Sequence, residues 1–376
     1  MKKAILSMAA LLICMGLSAQ DWKMVITKTD GTKVEMATTE IDNIIYVENQ
    51  GEVLEDKNVD QIIIKEIYNG GCMTDDGKKY QFDKCIILYN NCGEQAVANN
   101  LCFGMLPPGN AHATNPNYDE NGNLVYENEG FHPLWHGIWW FQGSLVIEPY
   151  SQIVVNVCGA IDNTQTVSNS INYANPDYYC MYDPECGYDN TNYYPTPSSE
   201  IPTSHYLKGK EIGLGNGWTF SVSSPATVIF QVQGTDAATW ADDVNNIWYS
   251  GGEVSEVNAC FKVPTEWIID GVEIYSTAYP EDSRKRLTSE IDGGYTWLTN
   301  YLGHSVYRNV DKEATEALPE NAGKLVYGYN LGVDDSTDPS GIDAEASIKN
   351  GAHIVYLDFN NSTEDFHERQ KCSLKD

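Results

Sequence analysis

The stretch formed by residues 59–91 constrains the fold of this chain more than any other. It holds two apolar runs rich in β-branched residues, at 62–67 and 85–88, separated by a turn segment rich in Gly, Asp and Lys. Such runs are typical of two strands joined by a loop. Because apolar side chains alternate onto both faces of the second run, the sequence predicts a strand pair buried on both sides within a two-layer core.

Short β-like runs recur along the rest of the chain, whereas helical periodicity is rare. The predicted runs lie at 97–105, 137–141, 145–157, 218–222, 227–232, 267–275, 324–329 and 353–359. Two short helices are predicted at 237–249 and 311–318, where Ala, Asp and Glu occur without strand alternation. Long Asn-, Tyr- and Pro-rich loops fill 107–130 and 163–202. The pattern predicts an all-β fold with long irregular loops.

The first strand pair also resembles a known family. An apolar strand ending in Lys65-Glu66-Ile67-Tyr68, a polar turn, and then the run at 82–91 are similar to the opening of lamin-tail-type domains. The chain departs from that pattern at Ile87, where the family has an acidic residue. The resemblance implies an elaborated immunoglobulin-like β-sandwich. From residue 62 onward the chain resembles an uncharacterised domain family of secreted Bacteroidetes proteins, which implies no particular activity.

The N-terminus has the layout of a secretory signal peptide at 1–20, with two lysines, a short apolar run and a small-residue exit. We interpret Cys14 as part of that run and not as a lipid anchor, because no small residue precedes it. Residues 21–56 then predict a small β-hairpin leader and linker, since Asp30-Gly31 separates two alternating runs. Residues 57–376 are predicted to form the sandwich domain with its loop insertions.

The net charge of the chain and its predicted export limit the classes of partner that it can bind. The chain has 23 Lys and Arg against 53 Asp and Glu, a net charge of -30. Such a surface disfavours nucleic acid, which is bound through Lys and Arg. No segment is long and apolar enough for a transmembrane span. The sequence therefore predicts an exported protein that is periplasmic, associated with the outer membrane, or extracellular. Its oligomeric state does not follow from the sequence.

The chain has ten cysteines, and nine of them follow the predicted signal peptide. An exported protein can form disulfides, but because nine is an odd number, at least one thiol must stay free. Disulfide pairing is predicted within two groups, although the connectivity does not follow from spacing. The candidates are Cys72, Cys85, Cys92 and Cys102 in one group and Cys180 and Cys186 in the other. A Cys₄ zinc site is the weaker alternative for the first group, because short C-x₂₋₄-C pairs are missing.

No catalytic residues are predicted. The sequence lacks a nucleophile elbow, a phosphate loop, a dinucleotide fingerprint and a helical two-histidine metalloprotease motif. His132 and His136 are four residues apart, but Pro133 and Gly137 disfavour a helix that would carry both as metal ligands. We therefore interpret them as packing or loop histidines.

Aromatic loops are the candidate binding elements. In the run at 131–141, Trp139 and Trp140 are adjacent, so one must point away from the core, either under a loop or into an exposed platform. A platform beside Asn-rich loops suits sugar or peptide recognition. The second candidate is the Tyr-rich loop at 173–206, with the alternative that it folds on its own tyrosines. The candidate binding residues are Trp135, Trp139, Trp140, Tyr178, Tyr179, Tyr182, Tyr193 and Tyr194.

Within the same loop, Asp183, Glu185 and Asp189 supply oxygens that a structural calcium ion would accept, although their spacing is not that of an EF-hand. No other cofactor is predicted. The acidic loop at 334–343 is interpreted as solvated, and residues 358–376 as a polar tail.

These observations favour a secreted or cell-surface, non-catalytic binding module whose ligand is a glycan, a peptide or an outer-membrane partner. Two alternatives stay open. One is an extracellular polymer-degrading hydrolase that uses loop carboxylates as acid and base. The other is a purely structural surface protein whose aromatic side chains are all buried.

Overall fold

The structure is a computed structural model that describes residues 23–27, 32–40 and 53–375. These residues belong to two units, one within Met1–Gln50 and one within Gly51–Asp376. The predicted signal peptide and the Asp30-Gly31 turn lie outside the described residues. In the part of the chain that is described, no helix is long and apolar enough to span a membrane.

The first unit is a hairpin of two antiparallel strands, β1 (Lys23–Thr27) and β2 (Lys33–Ala37). Lys23 pairs with Ala37 at one end of the register and Thr27 with Lys33 at the other. A 3₁₀ turn at Thr38–Glu40 follows. The predicted small N-terminal hairpin is confirmed.

The second unit is built from short strands. They are β3 (Ile62–Tyr68), β4 (Cys72–Met73), β5 (Lys79–Tyr80), β6 (Cys85–Asn90), β7 (Ala96–Ala98), β8 (Leu101–Met105), β9 (Phe131–Trp135), β10 (Ile138–Trp140), β11 (Leu145–Ile147), β12 (Gln152–Asn156), β13 (Tyr179–Met181), β14 (Tyr206–Lys210), β15 (Ala226–Gln231), β16 (Ile247–Tyr249), β17 (Ala259–Pro264), β18 (Ile268–Ser276), β19 (Thr296–Leu298), β20 (Ser305–Arg308) and β21 (Phe366–Arg369).

Its α-helices are all short. They are α1 (Ala237–Asp242), α2 (Lys312–Ala317), α3 (Ala344–Lys349) and α4 (Ser362–Asp365). The first two lie within the predicted helical segments, and each is capped by the aspartate before it, Asp236 or Asp311, whose side chain accepts a backbone N–H of the first turn. Single 3₁₀ turns complete the secondary structure at Val59–Gln61, Glu127–Glu129, Asn163–Gln165, Thr203–His205, Val244–Asn246, Ser250–Gly252, Glu256–Asn258, Thr265–Trp267, Pro319–Asn321 and Ser373–Lys375.

One large sheet dominates the second unit. Its twelve strands run in the order β19-β18-β15-β8-β10-β14-β13-β12-β6-β3-β20-β21. The two edge strands lie against each other, and the amide of Thr299, just after β19, donates to Oε1 of Glu368 on β21 at 2.8 Å. The sheet is thus nearly closed into a barrel. The all-β prediction is confirmed, whereas the immunoglobulin-like and lamin-tail-like detail is not, because the strand order is continuous across all twelve strands.

The predicted first strand pair is confirmed. β3 and β6 are antiparallel neighbours, with Ile62 opposite Asn90 and Tyr68 opposite Cys85, and a bulge lies between Ile64 and Glu66. Both strands are buried along their whole length. Alternate side chains therefore enter different apolar clusters, as expected for a sheet that is covered on both faces.

Apolar clusters pack on both sides of the sheet. The largest apolar cluster fills the inside of the curved sheet and includes Ile62, Ile86, Phe103 and Trp139. A second cluster lies between the sheet and the small sheet of β16, β17 and β9. A third packs the segment that precedes β21 onto the outer faces of β3, β6 and β20. Long loops thus cover the sheet and leave little of it exposed.

A buried ion pair links strands from opposite ends of the sheet order. Arg308 on β20 donates to Asp270 on β18 and, through Nε, to the carbonyl of Ile64 on β3 at 2.8 Å. The amide of Ile64 in turn donates to the same carboxylate at 2.7 Å. Asp270 and Arg308 are both buried. This contact crosses the inside of the curved sheet and helps to hold its two ends together.

The C-terminal residues are not the polar tail that the sequence predicts. They form α4 and β21 and then fold back onto β3, where the amide of Ser373 donates to Glu66 at 3.0 Å. Most of β21 is charged or polar, yet all four residues are buried. The run at 353–359, predicted as a strand, is instead an extended segment that makes one isolated bridge at Tyr356.

Candidate functional site

The loop that follows β18, residues 277–286, separates two cavities in the surface of the second unit. The cavity on one side has a volume of about 320 Å³. We name it the aromatic cleft, and it is lined by Thr277, Pro280, Trp297, Thr299, Val333, Asp334, Asp335, Ser336 and Glu368. The cavity on the other side has a volume of about 480 Å³ and is lined by His112, Ala113, Thr114, Asn115, Tyr118, Gly122, Asp282 and Arg284.

The position of Trp297 follows from strand alternation. In β19 the side chains of Thr296 and Leu298 are buried, so Trp297 between them faces outward and is half-buried. β19 runs parallel to β18, which places Tyr275 opposite Trp297. Tyr275 stacks on Tyr295 with ring centroids 4.2 Å apart, and the indole meets these rings edge-on at 5.8 and 5.4 Å. The two tyrosines therefore hold the indole in place at the wall of the cleft.

Two carboxylates lie at the tip of a tight turn on the facing wall. Val333 and Ser336 exchange backbone hydrogen bonds of 2.8 Å, and Asp334 between them has a left-handed φ of 48°. Aspartate tolerates this region better than most residues do. Asp334 and Asp335 are exposed, and no other described residue forms an ion pair or a side-chain hydrogen bond with either carboxylate. Both carboxylates are therefore available to a ligand.

Glu368 forms the floor of the cleft and is fully engaged by the protein. Its carboxylate accepts the amide of Thr299 at 2.8 Å and lies 2.7 Å from Nδ1 of His304. Its own amide donates to Oγ of Ser336 at 2.8 Å. Glu368 thus ties β21 both to the edge of β19 and to the acidic turn, and it fixes the shape of the cleft.

A buried ion pair anchors the far end of the shared loop. Nε and Nη2 of Arg286 donate to Oε1 of Glu273 at 2.8 and 2.6 Å, and both side chains are fully buried. The other oxygen of Glu273 accepts the amides of Arg286 and Leu287 at 2.8 and 2.9 Å. Nη1 of Arg286 reaches the carbonyl of Pro108 at 2.9 Å. This pair fixes one end of the loop between the two cavities.

The 480 Å³ cavity has fewer polar groups available to a ligand than the aromatic cleft has. His112 is stacked on Tyr279 at 3.8 Å, and its Nδ1 is buried without a partner, as is Nδ2 of Asn115. Nη1 of Arg284 donates to the carbonyls of Glu281 and Ser283, both at 2.8 Å. Several of its polar groups are thus either covered or held by the loop itself. For this reason we take the smaller aromatic cleft as the candidate site.

Comparison with known proteins shows the fold but not the activity. Residues 148–329 match the family model described as "Protein of unknown function (DUF4876)". A crystal structure of a DUF4876 family protein from Bacteroides thetaiotaomicron VPI-5482 has a TM-score of 0.58 at 18% identity, over 92% of this chain and 80% of that chain. No curated protein matches the chain. The expected resemblance to an uncharacterised domain family agrees with the DUF4876 match.

The three predicted tryptophans do not form an exposed platform. Trp139 is fully buried in the main core, and Trp140, which points to the other face of β10, is half-buried against the second cluster. Trp135 is half-buried beside His136, with ring centroids 3.7 Å apart. Alternation therefore works as predicted, but the neighbouring small sheet covers the outward side chain. A role in binding for these residues stays a prediction.

The predicted tyrosines pack around the same core. Tyr194 is buried against Trp139, and its hydroxyl accepts the amide of Trp218 at 2.8 Å. Tyr179 stacks on His205 with centroids 4.1 Å apart. Tyr178, Tyr182 and Tyr193 are half-buried, as Tyr179 is. The long loop at 173–206 thus folds largely on its own aromatic side chains, and direct ligand contacts by these tyrosines stay a prediction.

The calcium hypothesis has no converging ligands to support it. Asp183 is buried, accepts the amide of Gly209 at 3.2 Å, and lies 3.5 Å from Nζ of Lys208. Glu185 and Asp189 are exposed. Across the described ranges, no group of three or more His, Cys, Asp or Glu side chains is placed to hold a metal ion.

The predicted disulfides are not formed in this structure, since all nine described cysteines are free thiols. The two sequence groups are dispersed, because Cys102 packs between the sheets while Cys180 and Cys186 enter different apolar clusters. Cys85 instead lies in one buried cluster with Cys372. Proximity in sequence was thus a poor guide to proximity in space. The other two candidates are Cys72, which is buried, and Cys92, which is half-buried.

Sequence reasoning missed the aromatic cleft because its parts are far apart in the chain. The acidic run at 334–343 predicts only a solvated loop. Trp297 lies in a three-residue strand with no wider alternating pattern. Glu368 lies in β21, within the segment that the sequence predicts to be a polar tail. Only the closing of the sheet brings these three residues together.

Proposed function

We propose that this chain is an exported, non-catalytic binding module that holds a glycan in the aromatic cleft. The observation that carries the proposal is the outward-facing, half-buried Trp297 on the edge of the sheet. Around it lie the hydroxyl-bearing side chains of Thr277, Thr299 and Ser336. A flat aromatic ring offers apolar area to a sugar ring, and neighbouring hydroxyls and carboxylates offer directed hydrogen bonds to its hydroxyl groups.

A non-catalytic role is favoured by the state of the carboxylates. Glu368 is engaged by Thr299 and His304, so it is poorly placed to exchange a proton with a substrate. Asp334 and Asp335 are exposed on one turn, and no described feature excludes water from them. The export that we propose is supported by the signal-peptide pattern at 1–20, and the acidic composition suits a secreted protein that must stay soluble.

Replacing Trp297 with alanine is expected to weaken glycan binding by about tenfold or more, because the flat apolar wall is lost. The measurement begins with a glycan array that identifies a bound sugar for the wild type. Titration calorimetry with that sugar then compares the wild type with Trp297→Ala.

Phe359→Ala is the matched control, because Phe359 is an aromatic residue that is 61% exposed and does not line the cleft. The affinity of Phe359→Ala for the sugar should equal that of the wild type. Unchanged binding by Trp297→Ala would contradict the site. Release of shorter sugars during the incubation would contradict the non-catalytic role and favour the hydrolase alternative.

A further inference from the structure

The wall of the aromatic cleft carries two carboxylates, those of Asp334 and Asp335, that no described residue neutralises. Three carboxylates, those of Asp334, Asp335 and Glu368, line it, and none of the described residues that line it is basic. Glu368 interacts with His304, whereas Asp334 and Asp335 form no ion pair with any described residue. A cleft lined by one sign of charge concentrates ligands of the opposite sign.

The carboxylates face the cleft together with an aromatic ring, and this combination is more specific than acidity alone. An exposed acidic turn is common on a protein with a net charge of -30. A half-exposed indole in the same cavity adds a surface that attracts cations through its π-electrons, and tryptophan is the strongest side chain in this respect. The hydroxyls of Thr277, Thr299 and Ser336 line the same cavity. Within the protein, Thr299 donates to Glu368 at 3.3 Å and lies 3.2 Å from the hydroxyl of Thr277, while Ser336 accepts the amide of Glu368 at 2.8 Å. Each hydroxyl oxygen has two lone pairs, so it can still accept a hydrogen bond from a ligand.

We propose, on the basis of the binding function proposed above, that the ligand of the aromatic cleft carries a protonated amine, as an amino sugar with a free amine does. Its ammonium group lies between Asp334, Asp335 and the face of Trp297. Its hydroxyls face the threonine and serine side chains. Because the two aspartates are exposed, their attraction for the amine is screened by salt.

Two probes with the same backbone separate charge from shape. Glucosamine oligomers carry protonated amines at mildly acidic pH, and N-acetylglucosamine oligomers of the same length are neutral. We expect the wild type to bind the glucosamine oligomer about tenfold more tightly at low salt, and the difference to shrink as salt is added. Titration calorimetry measures both affinities on the full mature chain.

The test variant is the double substitution Asp334→Asn and Asp335→Asn. Asparagine keeps the size of the side chain and also tolerates the left-handed backbone at residue 334. We expect the variant to lose the preference for the glucosamine oligomer while its affinity for the neutral oligomer stays unchanged. The control is Glu253→Gln with Glu256→Gln, which removes two negative charges from exposed residues that do not line the cleft and should keep the preference.

The outcomes separate this proposal from the binding function itself. Equal affinity of the wild type for both oligomers, with loss of both in Trp297→Ala, overturns the amine proposal and leaves the glycan function standing. A preference that survives in the aspartate variant also overturns it. If the wild type binds no glucosamine oligomer, the amine proposal fails, and the glycan function is then decided by the Trp297 dependence of any neutral sugar found on the array.

Discussion

Replacing Glu273 with alanine is expected to lower the free energy of unfolding by about 3–5 kcal/mol. The carboxylate pairs with a guanidinium that is as fully buried as itself, and it accepts two backbone amides in addition. Its removal leaves the charge of Arg286 and the amides of Arg286 and Leu287 unpaired away from water, which costs more than the pair contributes when intact. Urea unfolding followed by tryptophan fluorescence measures the change.

Two further variants separate this cause from a general effect of losing a glutamate. Glu253→Ala, at an exposed position, should change stability by no more than about 0.5 kcal/mol. The double variant Glu273→Leu with Arg286→Met should recover part of the loss, because it leaves no buried charge unpaired. A loss below about 1 kcal/mol in Glu273→Ala would show that water or another group reaches Arg286.

The second large effect that we expect is a loss of stability at acidic pH, caused by the buried His367. Burial, reinforced by the nearby charge of Arg369, lowers the pKa of His367 to about 3. The imidazole bonds through Nδ1 to Asn309 at 2.7 Å and through Nε2 to the hydroxyl of Tyr329 at 2.5 Å. In the unfolded chain the same imidazole has a pKa of about 6.5. The folded state therefore binds the proton less readily, and stability from this group is lost as the pH falls below about 6.5.

The lost stability amounts to about 1.4 kcal/mol per pH unit, or about 2–3 kcal/mol between roughly pH 6.5 and 4.5. Buried aspartates oppose this trend, because burial raises the pKa of Asp270 to about 7 and also raises the pKa of Asp338 and Asp365. The informative quantity is therefore the stability difference between wild type and His367→Gln. We expect the variant to be less stable at neutral pH and the gap to narrow by about 2–3 kcal/mol on acidification.

His353→Gln serves as the comparison for the loss of an exposed imidazole, since its side chain is 44% exposed. Its stability difference from the wild type should stay within about 0.5 kcal/mol across the same range. If the free energies of unfolding of the wild type and His367→Gln change in parallel with pH, protonation of the buried imidazole does not destabilise the folded state, and the prediction is wrong.

Sequence reasoning worked where the chain follows a simple apolar rule. β3 and β6 are rich in β-branched residues and lie between covered faces, so their composition alone predicts both strands and their pairing. The alternation of Trp139 and Trp140 likewise places one side chain in the core. What the alternation cannot predict is that a separate small sheet covers the other face, because that depends on contacts between residues far apart in the chain.

Two strands that the sequence does not predict, β20 and β21, break the apolar rule. β20 and β21 contain Arg308, His367, Glu368 and Arg369, which are polar residues that sequence reasoning assigns to the surface. In the structure they are buried, and most of their partners are distant, such as Asp270 for Arg308 and Thr299 for Glu368. Burial of such groups depends on pairing. The aromatic cleft could not be predicted for the same reason, because its floor is Glu368, one of these buried charged residues.

The path of the strands also determines when this polypeptide can complete its fold. β3 lies near the start of the second unit, but its neighbour in the sheet, β20, comes much later in the chain. Asp270 on β18 likewise pairs with Arg308, which also lies on β20. During synthesis, which proceeds from the N-terminus, β18 is complete while its guanidinium partner is still missing. Such distant pairings are slow to form. The sheet can therefore close only when nearly the whole chain is available, so shortened products lacking the last two strands would leave β3 with an open edge and Asp270 with an uncompensated charge.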